Sequence, residues 1–178
     1  MNWKLRKAVL DDRDEIAKLI AESVRGLATD VYTKEQIELS ITSVFGVDED
    51  LVRDGTYFVV ESEGEIVGCG GWSKRKTLYG ASDYDHSRDP EFLDPARDAA
   101  KIRAFFIHPG HARKGIGTAI LEASEEEAKG QGFALAEMMA TLPGVKLYIK
   151  RGYDGDESVA VPVGDGIDIE CIRMHKSL

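Results

Sequence analysis

Hydrophobic and polar positions change their period several times along the 178 residues, and each change marks an element. "WKLRKAV" (Trp3–Val9) alternates over its first half, which predicts a half-buried strand. Asp11 and Asp12 then stand where a helix N-cap belongs, and Ile16, Leu19, Ile20, Ser23, Val24 and Leu27 recur at helical spacing behind them. "TKEQ" (Thr33–Gln36) has the form of a capping box, with Ile37, Ile41, Val44 and Phe45 as the apolar stripe of a second helix. Two β-rich runs in "TYFVVESEGEIVGCGGWS" flank Ser62–Glu65 and predict an antiparallel hairpin.

From Lys74 to Ala99 the pattern dissolves into aspartates, prolines and isolated aromatics, which predicts an irregular connection. Such long connections often carry function, so a substrate wall or lid is expected here beside the plainer alternative of an insertion. "KIRAFFIHP" is a strongly apolar, buried strand ending before Pro109. The next helix is expected from Gly115 to Lys129. Ile116, Ala119, Ile120 and Ala123 would form its buried side, Glu125 to Glu127 a solvated patch, and Gly130 its C-terminal cap. "FALAEMMAT" is another strand, and Pro143 opens a short helix in "PGVKLYIKR" that Gly152 stops. "ESVAVPV" and "IDIECIRMHKS" close as a β-pair across "GDG". The order of elements predicts one mixed α/β domain over residues 1–178, a central mixed sheet flanked by helices.

Composition narrows the function. Lys and Arg number 23 against 32 Asp and Glu, a formal charge of −9, which argues against nucleic acid as the main partner because phosphate binding needs a basic face. The same balance suits a cationic amine, or mere solubility. The N-terminal residues lack an apolar core of signal-peptide length, and no run approaches ~20 apolar residues, so a cytoplasmic protein without a membrane partner is expected. Cys69 and Cys171 are isolated, and His86, His108, His111 and His175 show no ligand spacing, so no metal is expected.

The chemistry concentrates in "HPGHARKGIGTAI" (His108–Ile120), where Gly115 and Gly117 stand at the start of a helix although glycine is a poor helix former. A strand running through a glycine-bearing loop into a helix N-terminus makes an anion site. The first N–H groups of the helix are unpartnered, its dipole reinforces them, and a missing Cβ lets a phosphate approach the backbone. Arg113 and Lys114 add charge, and Thr118 a further N–H and hydroxyl. A Walker A loop is excluded because Ile116 and Gly117 follow Gly110-x-x-x-x-Gly115 in place of Lys and Ser/Thr. A dinucleotide fingerprint is excluded because Ile120 is too large for its third small position.

With a glycine loop, a buried strand before it and "LYIKRGY" some thirty residues on, the chain resembles the GNAT superfamily of acetyl-CoA-dependent N-acetyltransferases. Gly115 and Gly117 match the small positions of that family's pyrophosphate loop. Ala112 takes its Gln/Arg position, with Arg113 next to it as the compensating cation. The resemblance implies a sheet whose central strands splay apart to admit pantetheine. It implies direct transfer of acetyl from acetyl-CoA, as co-substrate, to a primary amine of a small molecule or peptide in a ternary complex, with no metal. On that basis Phe105, Phe106 and Ile107 are expected along the cofactor. Main-chain N–H groups near Phe106 and Ile107 would polarise the thioester, and Ile116 belongs to the loop. Thr141 is expected on the pantetheine amide, and Tyr148, four residues before Gly152, is the expected proton donor to the departing sulfur. Lys101 stands where some branches carry a basic glutamate, which leaves Asp83, Asp85, Asp98 and Glu137 as candidates acting through water. His108 and His111 are expected on the loop surface. Tyr32, Tyr79, Tyr84 and Trp72 are candidate walls of an aromatic amine site, or scattered aromatics. A homodimer is compatible with the resemblance. A non-catalytic CoA sensor of the same fold and a nucleotide-binding module remain the alternatives.

Overall fold

The computed structural model of the chain describes residues 2–178. Seven strands, β1 (Trp3–Lys7), β2 (Tyr57–Ser62), β3 (Glu65–Ser73), β4 (Ala100–Ile107), β5 (Leu135–Thr141), β6 (Asp154–Gly164) and β7 (Ile167–Ser177), form one sheet. Their order is β1-β2-β3-β4-β5-β7-β6, and only β4 and β5 run parallel. Helices α1 (Arg13–Leu27), α2 (Lys34–Ile41) and α3 (Glu49–Arg53) precede β2, α4 (Ile116–Gly130) links β4 to β5, and α5 (Val145–Lys150) follows β5.

The sheet separates two apolar layers. Val59 belongs to the layer holding Ile16, Leu19 and Ile20 of α1, while its neighbours Phe58 and Val60 belong to the layer holding Ile116, Ile120 and Leu121 of α4. That is the alternation a strand imposes. The expected mixed α/β sheet with splayed central strands is the fold observed. β4 and β5 pair only at Ala100↔Ala136 and Lys101↔Glu137 and then part. Two features open them. Ala104 takes a left-handed φ of 58° and the β3–β4 register slips between Cys69 and Gly71, a bulge that bends β4. The buried Tyr57 hydroxyl holds that bulge by donating to the Ala104 carbonyl at 3.1 Å. At the closed end, Lys101 is ion-paired with Glu137, which Arg173 of β7 also grips at 2.9 Å.

Several local expectations are corrected. The Asp12 carboxylate turns backward, accepting from the Val9 N–H at 2.8 Å and pairing with Arg6, so it caps no N–H of α1. Leu27 is exposed. The Thr33–Gln36 capping box is present, but α2 ends at Ile41, short of Val44 and Phe45. α3 went unpredicted because five residues are too few to show a period. Gly130 is the last residue of α4, and Gly132, at φ 94°, takes the left-handed cap position, with Phe133 N–H closing onto the Ala128 carbonyl at 3.2 Å. Glu125 and Glu127 are no solvated patch: Glu125 pairs with Lys176 at 2.8 Å, and Glu127 accepts from the Trp72 indole at 3.0 Å. The strand read as apolar buries two cations, Lys101 and Arg103.

Candidate active site

Gly115 is the N-cap of α4 at φ 84° and has no side chain with which to cap it. The first intrahelical bond runs from Ala119 N–H to the Gly115 carbonyl at 3.0 Å, so the N–H groups of Ile116, Gly117 and Thr118 have no partner within the helix. Arg113, at φ 65°, is a second left-handed residue in the loop. Alternating positions of this kind gather successive N–H groups into an anion nest. The two glycines differ in purpose. A Cβ on Gly115 would meet nothing within 4 Å, so there the backbone conformation demands glycine. On Gly117 it would lie 3.1 Å from Leu147 Cδ2, where α4 and α5 approach.

This helix start forms the floor of a cleft of ≈ 650 Å³ walled by α1, β4 and α5. Phe105, Phe106, Ile107, Ala112, Arg113, Gly115, Ile116, Gly117, Thr118, Thr141 and Tyr148 all line it. Lys114 does not, and its Nζ donates to the Gly110 carbonyl at 2.8 Å. His111 reaches the cleft wall, while His108 accepts the Gly110 N–H on its Nδ1 at 3.1 Å and so braces the loop. The Ile107 N–H is already engaged, donating to Ser23 Oγ of α1 at 3.1 Å.

Tyr148 is buried on α5, its ring centroid 6.2 Å from Phe105 and 6.0 Å from Tyr153 in edge-on contacts. A Cβ on Gly144 would come within 2.7 Å of Tyr148 Cε2, so the bare turn before α5 is what lets the ring sit there. Burial pushes the phenol pKa up, so the group keeps its proton throughout the neutral range.

None of Asp83, Asp85, Asp98 and Glu137 lines the cleft, nor does any other carboxylate. Burial pushes the Glu137 carboxyl up, but hydrogen bonds from Lys101 and Arg173 outweigh it and hold it below its usual range, so it is a spent acceptor. The Asp98 carboxylate accepts the Asp94 N–H at 2.7 Å. Trp72 is fully buried, and Tyr84 is tied by its hydroxyl to the Pro162 carbonyl at 2.9 Å. Tyr32 does line the cleft, donating to the Glu170 carbonyl at 2.6 Å and accepting from Leu142 N–H at 3.0 Å.

Three cations were missed. Lys146, Lys150 and Arg151 line the cleft with Arg113, giving a basic rim on a chain of net charge −9. Their spacing over positions 146–151 was a readable signal that the whole-chain charge concealed. A smaller cavity of ≈ 70 Å³ abuts the cleft and shares Phe45, Phe105, Phe106, Thr141 and Tyr148 with it. Tyr79 lines this second cavity together with Leu78, Gly80 and Ala81, so part of the 74–99 connection is a cavity wall. Among the described residues, no helix is long and apolar enough to cross a membrane.

Comparison with known proteins identifies the family and matches the fold. The family model described as acetyltransferase (GNAT) family matches residues 21–153. A GCN5-related N-acetyltransferase from Rhodopseudomonas palustris superposes with a TM-score of 0.74 at 20% identity, covering 100% of this chain and 97% of that one. PaiA N-acetyltransferase from Thermoplasma acidophilum, solved in complex with coenzyme A, gives 0.68 at 16% identity with 100% of both chains covered. YncA of Salmonella typhimurium, a putative acetyltransferase solved with acetyl-CoA, gives 0.63 at 18% identity, covering 100% of this chain and 95% of that one. No curated protein sequence matches significantly. The chain belongs to the GNAT family of acetyltransferases.

Proposed function

We propose that residues 1–178 act as one N-acetyltransferase that moves an acetyl group from acetyl-CoA to a primary amine by direct attack in a ternary complex. The observation that carries this is the set of unpartnered N–H groups at Ile116, Gly117 and Thr118 on the floor of a cleft with a cationic rim. An extended diphosphate ester fits such a floor, and the rim supplies charge that the rest of the molecule lacks. Relatives of the same fold solved with coenzyme A or acetyl-CoA support the choice of ligand.

Residue roles follow from placement. Gly115 and Gly117 keep the floor bare, Arg113, Lys146 and Lys150 pair with phosphate oxygens while Arg151 is held by Glu122 of α4, and the Thr141 hydroxyl bonds the pantetheine amide. Lys114 acts only through the field it adds beside the loop. The thioester carbonyl needs an N–H donor inside the splay. Ile107 N–H faces Ser23 across it, and strand alternation turns the Phe106 N–H toward β3, so the Phe105 N–H is the remaining donor on the open side. A main-chain donor of this kind is worth about 3–4 kcal/mol of barrier.

The amine nitrogen bonds to the acetyl carbon as the C–S bond breaks, and the electron pair leaves with sulfur. Tyr148, held protonated by its burial, gives the sulfur its proton and is reprotonated by the one the amine nitrogen sheds. The products are an N-acetylamine and CoA thiol. The test is thiol release from acetyl-CoA in the presence of primary amines. Amine-dependent release by wild type, falling about 10²-fold or more in Tyr148→Phe while acetyl-CoA binding persists, is the expected result. Binding without release for any amine would instead make the chain a CoA sensor.

A further inference from the structure

Arg103 is the cation that the apolar pattern of β4 conceals, and one of its donors is unspent. The bulge at Ala104 interrupts the alternation of the strand: Ile102 and Phe105 pack in the α4 layer, Ala104 and Phe106 in the α1 layer. Arg103 reaches the same side as Ala104, where it meets Asp48 at the N-cap of α3. It is 5% exposed, and it lines the smaller cavity beside Leu78, Gly80 and Met139. Its Nη2 donates to the Gly80 carbonyl at 2.6 Å and lies 2.5 Å from Asp48 Oδ2. Among the described residues its Nε has no hydrogen-bond partner, and it is closed off from bulk solvent. A buried donor left unpaired is unfavourable, the more so on a charged group. A ligand that supplies the missing oxygen recovers that loss.

The cavity sets the size of the molecule that brings the oxygen. At ≈ 70 Å³ it has room for roughly five water-sized groups. It shares Phe105, Phe106 and Tyr148 with the cofactor cleft, so its occupant lies between Arg103 and the thioester. Resting on the transferase assignment above, we infer that Arg103 is a specificity-determining residue whose Nε–H donates to a carbonyl or carboxylate oxygen of the acceptor, carried on the carbon next to the one that bears the amine. The acceptor class is then a small α-amino acid or α-amino amide of about five non-hydrogen atoms. An aliphatic amine of the same shape fills the space but leaves Nε unpaired. Asp48 holds the guanidinium in place for this role and leaves Nε free.

The discriminating experiment measures thiol release with matched acceptors, after calorimetry has established acetyl-CoA binding. Glycinamide and glycine are set against isobutylamine, which has the same branching and size without the oxygen, each rate being expressed per free amine. The better of the two oxygen-bearing acceptors is expected to exceed isobutylamine in kcat/KM by at least ~10-fold, and which one leads identifies the oxygen as amide or carboxylate. Arg103→Met combined with Asp48→Asn removes the donor and its counter-charge together, so no buried charge is stranded. In that variant the ratio is expected to fall to within ~3-fold of unity with acetyl-CoA binding retained, which a merely structural role would not produce. The wild-type comparison decides by itself if the variant does not fold. A smaller wild-type ratio, or a ratio that the folded variant leaves unmoved, would overturn the inference and leave the transferase assignment standing. So would turnover of other primary amines with none of these three. Acetyl-CoA binding without thiol release for any amine would remove the transferase assignment and this inference with it.

Discussion

At the scale of single residues the site depends on atoms that are missing as much as on those present. Gly144 lets the Tyr148 ring occupy space that a Cβ would enter at 2.7 Å, and the ring cannot retreat far between Phe105 and Tyr153. Gly144→Ala is therefore expected to lower turnover by about 10- to 100-fold, as displacing a proton donor by a fraction of its reach does. Thiol release under saturating acetyl-CoA checks this, and unchanged turnover would mean that the ring position is not critical. Gly115 and Gly117 look alike in the sequence, yet the first is needed for its dihedral angle and the second for close approach. That difference is invisible without coordinates, because spacing alone reveals that a bare backbone is wanted and not why.

At the scale of elements, the 74–99 connection folds back on itself through backbone hydrogen bonds between 74–77 and 89–93, and ion pairs tie it and the neighbouring β4 to α3 and its flanks. Arg75 holds Asp54 at 2.7 Å, Arg88 pairs with Asp50, and Arg103 holds Asp48 at the N-cap of α3. Burial pulls the Arg103 pKa down, and Asp48 is the main group opposing that shift. Removing the carboxylate strands the cation, so Asp48→Asn is expected to destabilise the protein by about 3–5 kcal/mol. A urea denaturation midpoint would report this, and a loss under ~1 kcal/mol would show that the pair anchors nothing.

The regular elements were legible because their periods are. β2 with β3, α1, α4 and the strand–loop–helix of the cofactor floor all follow from hydrophobic spacing and glycine placement. What stayed hidden depends on partners distant in sequence. Lys101 and Glu137 close the splay from 36 positions apart. Arg103 became a cavity wall only because Asp48 could neutralise it. The basic rim escaped because Lys146 and Lys150 sit on, and Arg151 just past, a six-residue helix too short to display a charged face in the sequence.

At the scale of the whole molecule, buried phenols and thiols predict how stability varies with pH. Burial raises the pKa of Tyr32, Tyr57, Tyr84, Tyr148 and Tyr153, and pushes the thiols of Cys69 and Cys171 up to about 12. In the unfolded chain thiols ionise near ~8.5 and phenols near ~10. Above those values the unfolded state binds fewer protons than the folded one, so stability falls as pH rises, by ~1.4 kcal/mol per unit for each group past its unfolded pKa. Below pH ~8 these groups contribute nothing to the slope. Denaturant midpoints between pH 8 and 11 should decline and steepen past pH ~10, and a flat profile would contradict this.

The central claim is that the floor of the larger cleft binds the diphosphate of acetyl-CoA, and isothermal calorimetry tests it most directly. Wild type is expected to bind acetyl-CoA in the micromolar range. Gly117→Glu, whose side chain starts against Leu147 on the cleft wall and brings a carboxylate beside the unpartnered N–H groups, is expected to show no measurable binding while retaining its circular dichroism spectrum. Absence of binding by folded wild type, or equal affinity in the two proteins, would contradict the site.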